Sequence, residues 1–78
     1  MKRSTPMDRN LGGKVRYYRE RNGWTQEELA ARMQVKGCDL TRAAIGQIEI
    51  GYRMTSVYEI DLFAEVLGVD YNALFAKE

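Results

Sequence analysis

Residues 41–51, TRAAIGQIEIG, carry two side chains that can bind planar partners through paired hydrogen bonds. If Ile45 marks the inward side of a helix with about 100° per residue, Ile48 falls on the same side. Gln47 then points away from the core, and Arg42 lies at its flank. A glutamine amide can pair with two positions of adenine, and a guanidinium with O6 and N7 of guanine. The segment therefore predicts a helix whose outer face can contact the edges of DNA bases.

Two small residues complete this outer face. Ala43 and Gly46 point in the same general direction as Gln47. A glycine inside a helix costs about 1 kcal/mol relative to alanine, so its presence needs a reason. Small residues at both positions would let the helix backbone approach base edges without a clash. The alternative interpretation is a solvated helix face that tolerates its glycine.

The elements around this segment also have the spacing and the caps of helices. TQEE at residues 25–28 and SVYE at residues 56–59 are capping boxes. Thr41 and Asp70 can cap the helices that follow them. The predicted helices cover residues 9–22, 25–35, 41–50 and 56–67, and a short segment after residue 70. No segment alternates long enough to indicate a sheet. The sequence predicts an all-α fold, a compact bundle of five short helices.

The composition fits one small domain and excludes several kinds of site. Residues 1–7 are expected to form a flexible tail, and residues 8–78 the folded domain. The chain has no histidine and one cysteine, Cys38, so it lacks the usual zinc ligands and cannot form an intramolecular disulfide. It has no apolar run near the ~20 residues of a membrane span and no signal-peptide pattern. A cytoplasmic protein with no metal, cofactor or evident small-molecule ligand is expected.

Charge is unevenly distributed along the chain. Residues 1–53 hold eleven Lys/Arg and six Asp/Glu, whereas residues 54–78 hold one and five, so a net +5 precedes a net −4. A basic front and an acidic back suit a protein that contacts a polyanion with one side. Ordinary scatter of charges is the alternative.

The pattern of these motifs resembles the Xre-type, phage Cro/repressor-like helix-turn-helix family. The resemblance covers about residues 11–75 and is carried by Arg19 ahead of Gly23, WTQEELA, the IxxIExG pattern of residues 45–51 and LGV at residues 67–69. It implies a lambda-repressor-like fold that binds double-stranded DNA, with helix 41–50 in the major groove. One departure is that ten positions separate Val35 from Ile45, about twice the commonest family spacing. The turn between helices 2 and 3, KGCDL, is therefore predicted to be lengthened.

The resemblance also implies roles for individual residues. In the family, the positions of Arg42, Ala43 and Gln47 usually meet base edges, and a glutamine at position 26 clamps the DNA backbone. The free N–H groups at a helix N-terminus also suit a phosphate there. Lys36 and Arg53 are either further phosphate contacts or solvated charges. The expected DNA-binding residues are Gln26, Lys36, Thr41, Arg42, Ala43, Gly46, Gln47 and Arg53.

A second implied feature is structural. The family pairs the positions of Arg19 and Glu49 in a partly buried salt bridge that ties the first helix to the end of the third. Such a pair would orient the reading helix without contacting bases. Cys38, in the loop, is expected to be an incidental thiol rather than a redox sensor.

Two functions remain open at this point. The first is a sequence-specific transcription regulator that acts as a homodimer, because one unit reads too few base pairs for useful discrimination. Tyr71, Leu74 and Phe75 are then candidate dimer contacts, unless they close the core. The second is a protein-interaction adapter that keeps the fold but does not bind DNA, which the weak net charge favours. An enzyme is not expected, since no catalytic constellation is present.

Overall fold

Four α-helices and one 3-10 helix follow one another in the computed structural model, which describes residues 6–76. They are α1 (Pro6–Arg21), α2 (Gln26–Val35), α3 (Arg42–Glu49), α4 (Val57–Leu67) and the 3-10 helix (Tyr71–Phe75). Within the described range there is no strand, so the predicted all-α class is confirmed.

The two ends of the bundle differ from the prediction. Helix α1 begins at Pro6 rather than at Arg9, so it includes the last two residues of the predicted tail. Residues 1–5 of that tail lie outside the described residues. The last helix is a 3-10 helix, and the Asp70 side chain makes no cap hydrogen bond, so its predicted capping role is wrong. Instead, the Asp70 carbonyl accepts from the Ala73 N–H at 2.9 Å, which closes the tighter i to i+3 turn.

Local capping chemistry sets where α2 and α4 begin. At α2, the Glu28 N–H donates to the Thr25 hydroxyl at 3.0 Å, and the Thr25 N–H donates to the Glu28 carboxylate at 2.7 Å. The same reciprocal pair joins Ser56 and Glu59 at α4. Both predicted capping boxes are therefore confirmed, and each satisfies two backbone N–H donors that a helix start leaves without a partner.

The core is formed by one apolar cluster to which every helix contributes. Its buried members are Leu11, Val15, Leu29, Ala30, Met33, Cys38, Leu40, Ile45, Ile48, Ile60, Phe63, Ala64, Leu67 and Leu74. The sequence predicts Leu74 to be either a dimer contact or a core residue. It is fully buried, so it belongs to the core. Phe75 is half-buried against the same cluster, whereas Tyr71 is exposed.

The backbone of helix α1 packs directly against the backbone at the C-terminal end of α3, with no side chain between them at Gly12. A Cβ on Gly12 would clash with the carbonyl oxygen of Ile48 and would lie 2.8 Å from that of Glu49. A Cβ on the neighbouring Gly13 would meet open space. The first of the two glycines thus has a packing reason: it allows the contact that fixes α3 against α1.

The connection between α2 and α3 is fixed to the core. Gly37 has φ +89°, a conformation that favours glycine, and it turns the chain so that Cys38 and Leu40 are buried. The Gln34 amide donates to the Leu40 carbonyl at 3.2 Å. Burial, aided by the nearby Glu59 carboxylate, raises the pKa of the Cys38 thiol. A buried neutral thiol is a poor nucleophile, so Cys38 acts here as a small core side chain.

Candidate nucleic-acid interface

Helix α3 has one buried and one exposed face. Ile45 and Ile48 are buried in the core, whereas Arg42, Ala43 and Gln47 are exposed. The structure therefore brings the guanidinium, the small side chain and the amide together on one accessible surface. This reading face, defined by residues 42, 43 and 47, extends along a helix of eight residues, Arg42–Glu49.

The N-terminus of α3 is capped by Thr41. Its hydroxyl oxygen accepts from the Ala44 N–H at 3.1 Å. Thr41 is an exposed residue, and its hydroxyl still has its own proton to donate to an acceptor. Thr41 therefore combines a structural role with a free donor at the edge of the reading face.

A buried ion pair joins α1 to the end of α3. The Arg19 Nε donates to Glu49 Oε2 at 2.6 Å, and Arg19 Nη2 donates to Glu49 Oε1 at 3.0 Å. The side chains are only 10% and 2% exposed. Arg19 Nη1 also donates to the Trp24 carbonyl at 2.7 Å, and the hydrogen bond with Glu49 raises the pKa of Arg19 despite its burial. This bidentate pair fixes the orientation of α3.

Gln26, the first residue of α2, also belongs to this polar network. Its Nε2 donates to Glu49 Oε1 at 3.0 Å. Its amide oxygen and nitrogen lie 3.5 and 3.6 Å from the position that a Gly46 Cβ would occupy. The side chain is thus half-buried and lies across α3. Gly46 is itself half-covered by it, so this glycine is less accessible than residues 43 and 47.

The order and packing of α2 and α3 agree with comparisons against known proteins. A family model described as Helix-turn-helix matches residues 15–74. The chain belongs to the helix-turn-helix family. No curated protein matches it significantly.

Two solved structures resemble this helix-turn-helix protein. The restriction-modification controller protein C.AhdI from Aeromonas hydrophila is 29% identical, with a TM-score of 0.76 over 87% of this chain and 91% of that one. The hypothetical transcription factor NHTF from Neisseria is 27% identical, with a TM-score of 0.78 over 90% of this chain and 75% of that one.

The two basic candidates outside α3 are both in ion pairs in this helix-turn-helix chain. Lys36 Nζ lies 2.6 Å from Glu65 Oε2, with side chains 44% and 56% exposed. Arg53 donates to both carboxylate oxygens of Glu59, at 3.3 and 3.2 Å. The exposed Lys36 pair is weak, so a phosphate can compete for Lys36. Arg53 is held more firmly, because the Glu59 side chain is only 13% exposed.

The Arg53 pair leads to a prediction about pH. Burial disfavours the charged form of Glu59, but hydrogen bonds from Arg53 and Ser56 outweigh it and lower the pKa of Glu59 below its ordinary 4.5. The charged carboxylate therefore stabilises the fold above pH 4.5, and this stabilisation is lost as the pH falls through the lowered value. Urea unfolding from pH 7 to pH 3 should show the difference between wild type and Glu59→Gln shrinking at the acid end. A constant difference over that range would contradict the assignment.

Neither a membrane-spanning helix nor a metal cluster is found in the described part of the chain. No helix between residues 6 and 76 is long and apolar enough to cross a membrane. No group of three or more His, Cys, Asp or Glu side chains in that range is placed to hold a metal ion.

Proposed function

We propose that this helix-turn-helix protein is a sequence-specific transcriptional regulator that places α3 in the major groove of double-stranded DNA. The observation that carries the proposal is the exposed reading face of α3 beside the buried Arg19–Glu49 pair. Arg42 and Gln47 can each make two hydrogen bonds to a base edge, and Ala43 leaves room for close approach. The rigid ion pair keeps these side chains in one orientation before DNA binds.

Contacts to the DNA backbone would position this face. The exposed hydroxyl of Thr41 and the ammonium of Lys36 lie at the two ends of the connection that precedes α3. Both are donors, and phosphate oxygens are acceptors. Arg53 can contact a phosphate only by giving up its hydrogen bonds to Glu59. We therefore expect it to contribute least to the affinity for the DNA backbone.

The names of the two similar structures agree with a regulatory role. One is a restriction-modification controller protein and the other a hypothetical transcription factor. A regulator of this kind has no need of catalysis, and we propose that the chain is not an enzyme and acts in the cytoplasm. The alternative, an adapter without DNA binding, is favoured by the formal net charge of +1 and by the fact that α3 carries one basic residue, Arg42.

We further propose that the protein acts as a homodimer. A single reading helix contacts too few base pairs for a unique site, and two copies on a two-fold operator double the number. Tyr71 is exposed and Phe75 half-buried, and their rings lie 5.2 Å apart at the 3-10 helix. They form a small aromatic surface suited to an identical partner, whereas Leu74 is used in the core.

Substitution of Gln47 tests the reading face. We expect Gln47→Ala to lower affinity for the selected DNA site by ~1–3 kcal/mol while binding to unrelated duplex changes little. The exposed side chain supports no core contact, so the melting temperature should stay the same. Sites are selected from a random duplex pool, and affinities are then measured by titration.

Two further measurements make this test decisive. Asn72→Ala, which removes another exposed amide at the 3-10 helix, should leave both affinities unchanged. The logarithm of the binding constant should fall with the logarithm of salt concentration by about 0.9 per phosphate neutralised. Equal losses on selected and unrelated DNA would refute a base-reading role for Gln47, and no binding at low salt would favour the adapter.

A further inference from the structure

The end of α1 is followed by an asparagine and a glycine, Asn22–Gly23, which no part of the proposed DNA interface uses. Of the three asparagines in the sequence, Asn10 precedes a leucine and Asn72 an alanine, so only Asn22 is followed by a residue without a side chain. Both residues of the pair are exposed, and a Cβ added to Gly23 would meet nothing within 4 Å. Water and base therefore have access to the Asn22 amide and to the peptide bond beside it.

The chemistry available to this pair is deamidation through a cyclic imide. The Gly23 backbone nitrogen, once a base has taken its proton, attacks Cγ of Asn22. The bond from Cγ to the side-chain nitrogen then breaks, and that nitrogen takes up a proton and leaves as ammonia. Water opens the five-membered succinimide at either of its carbonyl carbons, which leaves aspartate or isoaspartate at position 22. Glycine favours the reaction because no side chain hinders the attacking nitrogen.

The attacking nitrogen is hydrogen-bonded in the folded protein. The Gly23 N–H donates to the Glu20 carbonyl at 2.9 Å. The Trp24 N–H donates to the Arg19 carbonyl at 3.1 Å, and the two bonds together close a Schellman turn at the end of α1. The nitrogen becomes reactive when this turn opens, and helix ends are among the parts of a native protein that open most readily.

The Asn22 side chain joins the ends of two helices. Its Nδ2 donates to the Tyr18 carbonyl of α1 at 2.8 Å and to the Leu67 carbonyl of α4 at 3.4 Å. Both acceptors lie in the last turn of a helix, where the dipole is negative and the carbonyls need donors. A carboxylate at position 22 has no proton to donate and brings a negative charge against both carbonyls.

We propose that Asn22–Gly23 is a deamidation site and that the reaction weakens the junction between the ends of α1 and α4. Water is consumed and ammonia is released, and no other reactant is needed. The aspartate product loses the two side-chain hydrogen bonds. The isoaspartate product also disrupts the backbone bonds of the turn, because its main chain is one carbon longer between residues 22 and 23.

The modified turn adjoins Arg19, the residue that orients α3. Arg19 Nη1 donates to the Trp24 carbonyl at 2.7 Å, and the Arg19 carbonyl accepts from the Trp24 N–H. A longer main chain before Trp24 displaces this acceptor and so weakens the Arg19–Glu49 pair. The aged protein should therefore bind its DNA site less tightly, a consequence that rests on the proposed function.

Ageing of the full-length protein in mildly alkaline buffer tests the proposal. Peptide mapping by mass spectrometry locates each deamidated residue, and enzymatic methylation detects isoaspartate. Asn72 is the control within the same molecule, because it is also exposed but precedes an alanine. Asn22→Gln is the matched variant, since it keeps an amide donor but its longer side chain cannot form the five-membered ring. A parallel sample in guanidinium chloride gives the rate for the unfolded chain.

We expect the folded protein to react at Asn22 before any product forms at Asn10 or Asn72, and the unfolded chain to react faster at the same position. In the aged fraction, the folded-to-unfolded ratio from urea titration should fall by roughly 5- to 100-fold, as for the loss of two hydrogen bonds. Asn22→Asp should reproduce the loss caused by the aspartate product without ageing. Asn22→Gln should keep its own starting mass and stability over the same time.

Two results would overturn the inference. One is an Asn22 that stays intact in the folded protein after the unfolded chain has reacted fully, or that reacts no faster than Asn72. The other is an unchanged folded-to-unfolded ratio in both the aged fraction and Asn22→Asp. Neither readout involves DNA, so a wild-type protein that retains no duplex at low salt would refute the proposed function alone.

Discussion

Gly12→Ala should destabilise the protein by about 3 kcal/mol or more in the free energy of unfolding. The added methyl group would meet the backbone carbonyls of Ile48 and Glu49, with the oxygen of Glu49 at 2.8 Å. Backbone atoms of a packed helix cannot rotate aside as a side chain can, so α1 and α3 would have to separate. Urea unfolding followed by circular dichroism measures the change.

The adjacent glycine provides the control for this substitution. Gly13→Ala adds the same methyl group to the same helix, but its Cβ meets nothing within 4 Å. Because alanine is the better helix former, Gly13→Ala should raise the free energy of unfolding by up to about 1 kcal/mol. Similar effects of the two substitutions, in either direction, would show that α1 and α3 do not approach each other at Gly12.

Arg19→Ala should cost about 3–5 kcal/mol of stability, because it leaves the Glu49 carboxylate buried without its cation. The Glu49 side chain is only 2% exposed, and Arg19→Ala removes both hydrogen bonds that the guanidinium donates to it. The hydrogen bond from Gln26 remains and offsets a small part of the loss. The melting temperature and the urea midpoint should both fall markedly.

An exposed ion pair on the same helix gives the comparison. Arg16 pairs with Glu20 at 3.2 Å, but the two side chains are 60% and 55% exposed. Arg16→Ala should therefore change stability by less than about 0.5 kcal/mol. Replacing both Arg19 and Glu49 with leucine should recover much of the loss, since no unpaired buried charge would remain. Equal shifts in melting temperature for Arg16→Ala and Arg19→Ala would contradict the burial of the pair.

The helix starts and the two-faced nature of α3 were predictable because they depend on neighbouring residues. A capping box spans four residues, so the boxes at Thr25 and Ser56 are visible in the sequence itself. The spacing of Ile45 and Ile48 similarly indicates which side of α3 is buried. Two ends were not predicted: α1 begins at Pro6 rather than Arg9, and the tight turn after Asp70 uses a backbone acceptor rather than a side chain.

Features that join distant residues were not predictable in this way. Two adjacent glycines signal a weak helix, but only the packing of α1 on α3 distinguishes Gly12 from Gly13. Likewise, Gln26 is 23 positions from Glu49, and nothing local to either residue indicates their hydrogen bond. The sequence gives no sign that Lys36 has a partner, but in the folded protein Glu65 of α4 forms an ion pair with it. Such contacts depend on the angles between helices, which a single sequence leaves open.

The division of α3 into a buried and an exposed face bears on how this protein can change over evolutionary time. Arg42, Ala43 and Gln47 are exposed, and substitutions at such positions usually alter stability by less than about 0.5 kcal/mol. Under the proposed function, new target preferences can therefore arise by point mutations at these three sites with little loss of stability. Under the same proposal, diverging copies of the gene can acquire separate operators while the buried face of α3 stays the same.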